Sequence, residues 1–325
     1  RDKVLCVGKA CVDFVNIAQK YPEEDSDQRG LEYYWQRGGN ATNNCTVLSI
    51  LSVPCEFLGV LGNHGVEASW IKSDFDKCGI ETTNCLFKSV QCPIATIVIS
   101  QTTGSRTILF YPRDCPELTF DEFHEIFHED FSHYSWIHFE LCNAMKDTSS
   151  MIDDIVAYNE RVHPPQISNN HPSRIILSLE VEKPELQNPE SVMDKADVVF
   201  ISKDFAKLKG YFNPNDAVEG LYNLCQDGAV LICAWGDVGA SAHFRGSTFK
   251  ASSLTDIKII DTLGAGDTFV AGVISSLWKH GWMGEASDKS GAIITNALEF
   301  GCRVAGLKCT MFGYQGLRQL VSSIS

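Results

Sequence analysis

The sequence predicts an α/β fold: a doubly wound, mostly parallel sheet flanked by helices, with a small separate β-sheet acting as a lid. Three observations lead there. From about residue 135 onward, short apolar runs alternate with helix-period stretches, the order that builds a parallel sheet covered on both faces. The runs SWIHFEL, RIILSLEVE, DVVFIS and AVLICAW are short and apolar, as strands buried on both sides are. Segments near 11–18, 31–37 and 92–111 alternate apolar and polar residues instead, so they fall outside that layer.

The opening KVLCVGKACVDFV reads as a buried strand running into an alternating one, followed by a polar, acidic loop, YPEEDSDQRG. LEYYWQRGG leads into a helix, NATNNCTVLSILS, with Asn40 as its N-cap. CEFLGVLG is expected as a strand and VEASWIKSDFDKCGI as a helix ending at Gly79. CPIATIVIS and SRTILFYP alternate on both arms around QTTG, which predicts a β-hairpin. Helices are expected over DTSSMIDDIVAYNE, after Lys183, and over NDAVEGLYNLCQDG. Two longer ones close the chain, one after Asp267 and one across EASDKSGAIITNALEFGCRVAG. One domain over 1–325 accommodates all of this, with lid strands drawn from about 11–37 and 92–113.

Composition narrows the function classes. The net charge of −14 opposes loose attraction to nucleic acid or to an acidic membrane, both of which need phosphates neutralised. No apolar run reaches membrane-spanning length, and no signal-peptide pattern opens the sequence. The thirteen cysteines form no CxxC pair, and most sit in apolar runs. A reduced, cytoplasmic setting is therefore expected.

The stretch DTLGAGDTF, residues 261–269, carries the chemistry. A glycine turn entering a helix suits an anion, because free N–H groups and the helix dipole both favour one. Yet the turn closes with Asp267, a carboxylate, where a P-loop would place lysine. A second stretch, GGNATNN at 38–44, sets Asn40 and Asn43 on one side of a helix, where amide groups suit neighbouring hydroxyls. Asparagines at a helix start also serve simply as caps.

With both motifs in this order, the chain resembles the ribokinase family of carbohydrate kinases over nearly its whole length. WQRGGNATNNCTVLS, VEKP, SKDFAK and VAGLKC resemble its fructose-phosphorylating branch. The resemblance implies a ribokinase-like fold and transfer of the γ-phosphate of ATP to a sugar hydroxyl, with Mg2+ accompanying the nucleotide. It makes Asp267 the catalytic base and the backbone of Gly264, Ala265, Gly266 and Asp267 the anion hole. The chemistry agrees, since a carboxylate can take the hydroxyl proton while backbone donors stabilise the moving phosphoryl group. Asp13, Gly39, Asn40 and Asn43 would hold the sugar. Arg106, Trp235, Gly236, Gly239 and Gly264 would border the nucleotide, with Cys302 and Cys309 packing near the adenine. A homodimer through the lid is implied, with Asp25 reaching the partner's sugar site.

Two departures stand out. Ser202-Lys203-Asp204-Phe205 lacks the glutamate of the family's N-x-x-E magnesium motif, which leaves Glu182 or Asp204, through water, as candidate contacts. Leu141-Cys142 stands where the fructose-phosphorylating branch has glycine and arginine. Another sugar or a nucleoside is the nearest alternative acceptor, and a sugar-binding protein without catalysis is a further reading. From a different class, HEIFH offers His124, Glu125 and His128 as a zinc peptidase motif. Phe120, Phe123, Phe127 and Phe131 recur there at helical spacing, which predicts a buried stripe with the histidines on a solvated flank.

Overall fold

The computed structural model describes residues 3–162, 174–282 and 287–323. Its first half interleaves two sheets. β1 (Lys3–Val7) is followed by β2 (Cys11–Ala18), β3 (Glu32–Gly38), α1 (Asn40–Ile50), β4 (Cys55–Leu58), β5 (Val60–His64) and α2 (Val66–Cys78). Then come β6 (Leu86–Gln91), β7 (Ile94–Ser100), β8 (Arg106–Tyr111) and α3 (Phe120–Phe127). β9 (Tyr134–Glu140) opens the regular alternation with α4 (Met145–Val162), β10 (Ile176–Val181), α5 (Glu190–Met193), β11 (Val198–Ile201), α6 (Lys203–Leu208), α7 (Pro214–Leu221) and β12 (Val230–Ala234). β13 (Ala240–Phe244) and β14 (Ser247–Ala251) precede α8 (Ala265–Lys279), α9 (Ser290–Lys308) and α10 (Leu317–Ser322).

The large sheet has eight strands in the order β14-β13-β12-β11-β10-β9-β1-β4. Six are parallel, and β13 and β14 add an antiparallel edge that the sequence reading missed. Both faces are covered. Val4 and Cys6 of β1 pack into a core shared with α1, α8 and α9, while Leu5 and Val7 point into the core of α3–α7. That is the two-sided burial the apolar runs predict.

The small sheet runs β3-β2-β7-β8, with β2 and β7 parallel and the 94–111 hairpin antiparallel as expected. Asp13, Val15 and Ile17 share one face, and Val15 packs there with Ala95, Ile97, Ile99 and Leu263. Leu263 belongs to the DTLGAGDTF turn, so this face looks onto it.

Several boundaries differ from expectation. CEFLGVLG is two strands broken at Gly59, one in the large sheet and one paired with β6 in a sheet of its own. The helix after Lys183 shrinks to the four residues of α5, because Pro184 and Pro189 interrupt the segment. NDAVEGLYNLCQDG stays α-helical only to Leu221 and then tightens into a short 3-10 turn. SKDFAK is a helix opened by a Ser202 cap, which the sequence reading had not assigned. The expected start of the last long helix at Glu285-Ala286 lies outside the described residues. No helix among the described residues is long and apolar enough to cross a membrane.

Candidate active site

The 261–267 turn packs against the small sheet through Leu263 and is bonded to α1 through Asp267. Gly264 is the N-cap of α8, in left-handed conformation at φ 75. The helix therefore starts at Ala265, and Asp267 is its third residue rather than the one before it. Asp267 is 8% exposed. Its Oδ2 accepts a 2.7 Å hydrogen bond from Asn43 Nδ2, and its carbonyl accepts one of 2.9 Å from Asn44 Nδ2. Burial pushes its pKa up to about 7, helped by the Glu182 and Glu140 charges and opposed by the Asn43 bond and Arg106.

The turn leaves fewer free backbone donors than expected. Ala265 N–H already donates to the Thr262 carbonyl at 3.2 Å. The N–H groups of Gly266 and Asp267 sit in the first helical turn, where intrahelical acceptors are lacking. A Cβ on Gly266 would meet nothing within 4 Å, so the space there is open. Arg106, first residue of β8, donates from Nη1 to Thr262 Oγ1 at 3.2 Å. The hairpin thus brings a guanidinium to the turn.

Asn43 is bound to Asp267 through its nitrogen, and its buried Oδ1 has no hydrogen-bond partner. Gly39 occupies the N-cap of α1 at φ 103, so Asn40 is not the cap. A residue with a Cβ at 39 would put it 2.2 Å from the Lys9 carbonyl. Only glycine lets β3 enter α1 there. Asn40 instead donates from Nδ2 to Glu182 Oε2 at 2.9 Å. Asp13 is buried in β2 and accepts from Cys11 Sγ at 3.2 Å. Burial raises its pKa to about 7, against the pull of the Cys11 bond. Asp25 is exposed on the 19–31 loop.

On the nucleotide side, Trp235 is buried and Lys203 Nζ lies 5.5 Å from its ring centre. Gly236 and Gly239 shape the turn that follows, and Gly239 packs directly on the Ala251 carbonyl. Cys302 and Cys309 are both buried. Leu141 is buried, and Cys142 lines a cavity of about 320 Å3 together with Glu140, Phe110 and the Gly8–Ala10 loop.

Several participants escaped the sequence reading. Lys308, the last residue of α9, is fully buried and donates to Asp261 Oδ2 at 2.7 Å and to the Asp261 carbonyl at 3.1 Å. Asp261 Oδ1 in turn accepts from Leu263 N at 2.8 Å. A buried ion pair thus underlies the turn. Glu140 closes β9 and accepts from the backbone N–H groups of Lys9 and Ala41 at 3.1 Å each. Burial and the Asp267 charge hold the neighbouring Glu180 carboxyl well above the usual range. A signal for both glutamates existed: each is a charge inside an otherwise apolar strand run.

The residues available do not assemble a resident metal centre. Among the described residues no cluster of three or more His, Cys, Asp and Glu could hold an ion. Glu182 is tied to Asn40, and Asp204 is exposed on α6. The HEIFH segment fails geometrically as well. α3 ends at Phe127, His128 turns left-handed at φ 46, and His124 Nδ1 is bound to Asp154 at 2.9 Å. The two imidazoles are not paired on one helical face. Phe123, Phe127 and Phe131 are buried as predicted.

A family model described as pfkB family carbohydrate kinase matches residues 1–319. Mouse ketohexokinase is 37% identical over 317 residues, covering 97% of this chain and 98% of that protein. In fold, ribokinase from Giardia lamblia superposes with a TM-score of 0.78 at 15% identity, over 100% of this chain and 99% of the other. Arabidopsis thaliana ribokinase complexed with ribose and ATP gives 0.71 at 16% identity, over 99% and 98%.

Proposed function

This chain belongs to the pfkB family of carbohydrate kinases, and on that premise we propose that it transfers the γ-phosphoryl group of ATP to the C1 hydroxyl of fructose, with Asp267 as general base. One observation carries the reading of Asp267. A buried carboxylate stands in the first turn of α8, fixed through one oxygen by Asn43, with open space at the Cβ position of neighbouring Gly266. Its other oxygen is left to take the acceptor proton. A pKa near 7 suits a base working close to neutral pH.

The geometry supports a division of labour. Gly266 and Asp267 N–H groups, at the positive end of α8, stabilise the equatorial oxygens of the phosphoryl group in flight. Arg106, delivered by the hairpin, adds a charge on the same side. Asp13, Asn40 and the free Oδ1 of Asn43 hold the remaining hydroxyls, and Gly39 lets them approach the backbone. Magnesium would arrive with the ATP phosphates, since the described residues offer no dedicated set of ligands, and it would neutralise phosphate charge. Fructose rests on the likeness to mouse ketohexokinase.

A homodimer through the small sheet belongs to the same proposal. In support, all six residues of the edge strand β8 are exposed, among them Ile108, Leu109, Phe110 and Tyr111 at 46–54%. Asp25 would then serve the partner's site. A cytoplasmic location fits thirteen free thiols. The deciding assay is coupled ADP release against ketoses, aldoses and nucleosides. Highest kcat/KM for fructose supports the reading, and preference for a nucleoside overturns it.

A further inference from the structure

Near the small sheet and the 261–267 turn lie polar atoms without a hydrogen-bond partner among the described residues. Gln36 is 9% exposed, yet both its Oε1 and its Nε2 are buried without a hydrogen-bond partner. The Tyr314 hydroxyl is buried and unpartnered too. Buried polar groups in folded proteins are almost always paired, because an unpaired one forfeits its hydration without a replacement. Two such side chains, one beside Gly313 and the other beside Gly264, therefore point to a missing partner.

Their positions say which partner. Gln36 stands directly opposite Asp13 in the β2–β3 pairing, so the two side chains share one face of the small sheet. That face meets the turn through Leu263. Gln36 Oε1 lies 3.1 Å from where a Cβ on Gly313 would stand, beside Tyr314. The Tyr314 hydroxyl in turn lies 2.3 Å from the Cβ position of Gly264, whose other neighbour is Asn43 Nδ2 at 3.8 Å. Both groups thus sit between Asp13 on one side and the Asn43–Asp267 pair on the other. Burial, and after it the Asp267 and Asp13 charges, push the Tyr314 pKa far up, so its hydroxyl stays a neutral donor and acceptor.

We infer that Gln36 and Tyr314 are further acceptor-binding residues, each taking a hydroxyl of the polyol that Asp13 and Asn43 hold. This rests on the kinase reading above. An amide with donors and an acceptor and a phenol that can do either are matched to vicinal hydroxyls, which are both at once. A purely apolar acceptor would leave all of these atoms unpaired.

Tyr314→Phe and Gln36→Met remove the polar atoms with little change of volume. The variants and the parent are assayed with fructose and its singly deoxygenated analogues, and their melting temperatures are measured without ligand. The expected result is a rise of about tenfold in fructose KM for each variant, with ATP KM unchanged. One deoxy analogue for each variant should show no difference from the parent, because the lost partner is already missing. Melting temperature should hold or rise, as an unpaired buried group has been removed. Unchanged fructose KM in folded variants, equal losses on every analogue, or a shift confined to ATP KM overturns the inference. A parent that turns over no sugar brings down the kinase reading and this inference with it. Turnover by the parent with indifferent variants brings down the inference alone.

Discussion

At the scale of single residues, Asp267 is the sharpest point of failure. Asp267→Asn keeps the size and a polar partner for Asn43, so the fold stays, while the proton acceptor is lost. We expect kcat to fall by about 10²–10⁴-fold, with sugar KM changing less. Turnover near the parent's would reduce Asp267 to a helix-start residue. The parent's kcat/KM should fall as pH drops through about 7, because the active base is the ionised form and both Asp13 and Asp267 titrate there. An acid limb steeper than one proton, easing in Asp267→Asn, is the signature to look for. Gly266→Val probes the neighbouring function. Its side chain meets nothing in the chain, so stability should hold, while ATP KM rises and kcat falls together. These residues were legible in the sequence because they sit within one contiguous motif. Asn40 was misread as a cap, since sequence does not tell which backbone angle Gly39 will adopt.

Among the elements, the joint between α9 and the phosphate turn bears the most strain if broken. Lys308 and Asp261 are 47 residues apart, and both side chains are essentially excluded from water. Lys308→Met leaves the Asp261 carboxylate buried and uncompensated, which costs about 3–5 kcal/mol. Urea unfolding should show that loss, and the Lys308→Met, Asp261→Asn double variant should recover part of it. No local pattern announced this pair, because contacts at such separation have no period. The antiparallel β13–β14 edge was missed for a related reason: ASAHF and STFKA are short and only partly apolar. The break at Gly59 was hidden because CEFLGVLG is apolar throughout, and only pairing partners divide it. The parallel strands, by contrast, were read almost to the residue, since burial on both faces writes itself as an apolar run.

For the whole molecule, the testable matter is assembly. Light scattering at micromolar concentration should give twice the chain mass of 36.0 kDa, and Leu109→Asp with Tyr111→Asp should return it toward the monomer. A fully active parent of monomeric mass would overturn the dimer. The architecture has one more consequence. Asp13 and Arg106 ride on the small sheet, while Asp267 and its N–H neighbours ride on a helix packed against the large one. Water carries a hydroxyl that Asp267 could deprotonate as readily as a sugar's. It is too small, however, to touch Asp13 and Asp267 together. On the reading proposed above, a hexose held by Asp13 and Asp267 together would bridge both sheets, as water would not. Building the site from two bodies is thus a guard against burning ATP on the solvent: fidelity comes from the acceptor's reach rather than from a tighter grip on the nucleotide.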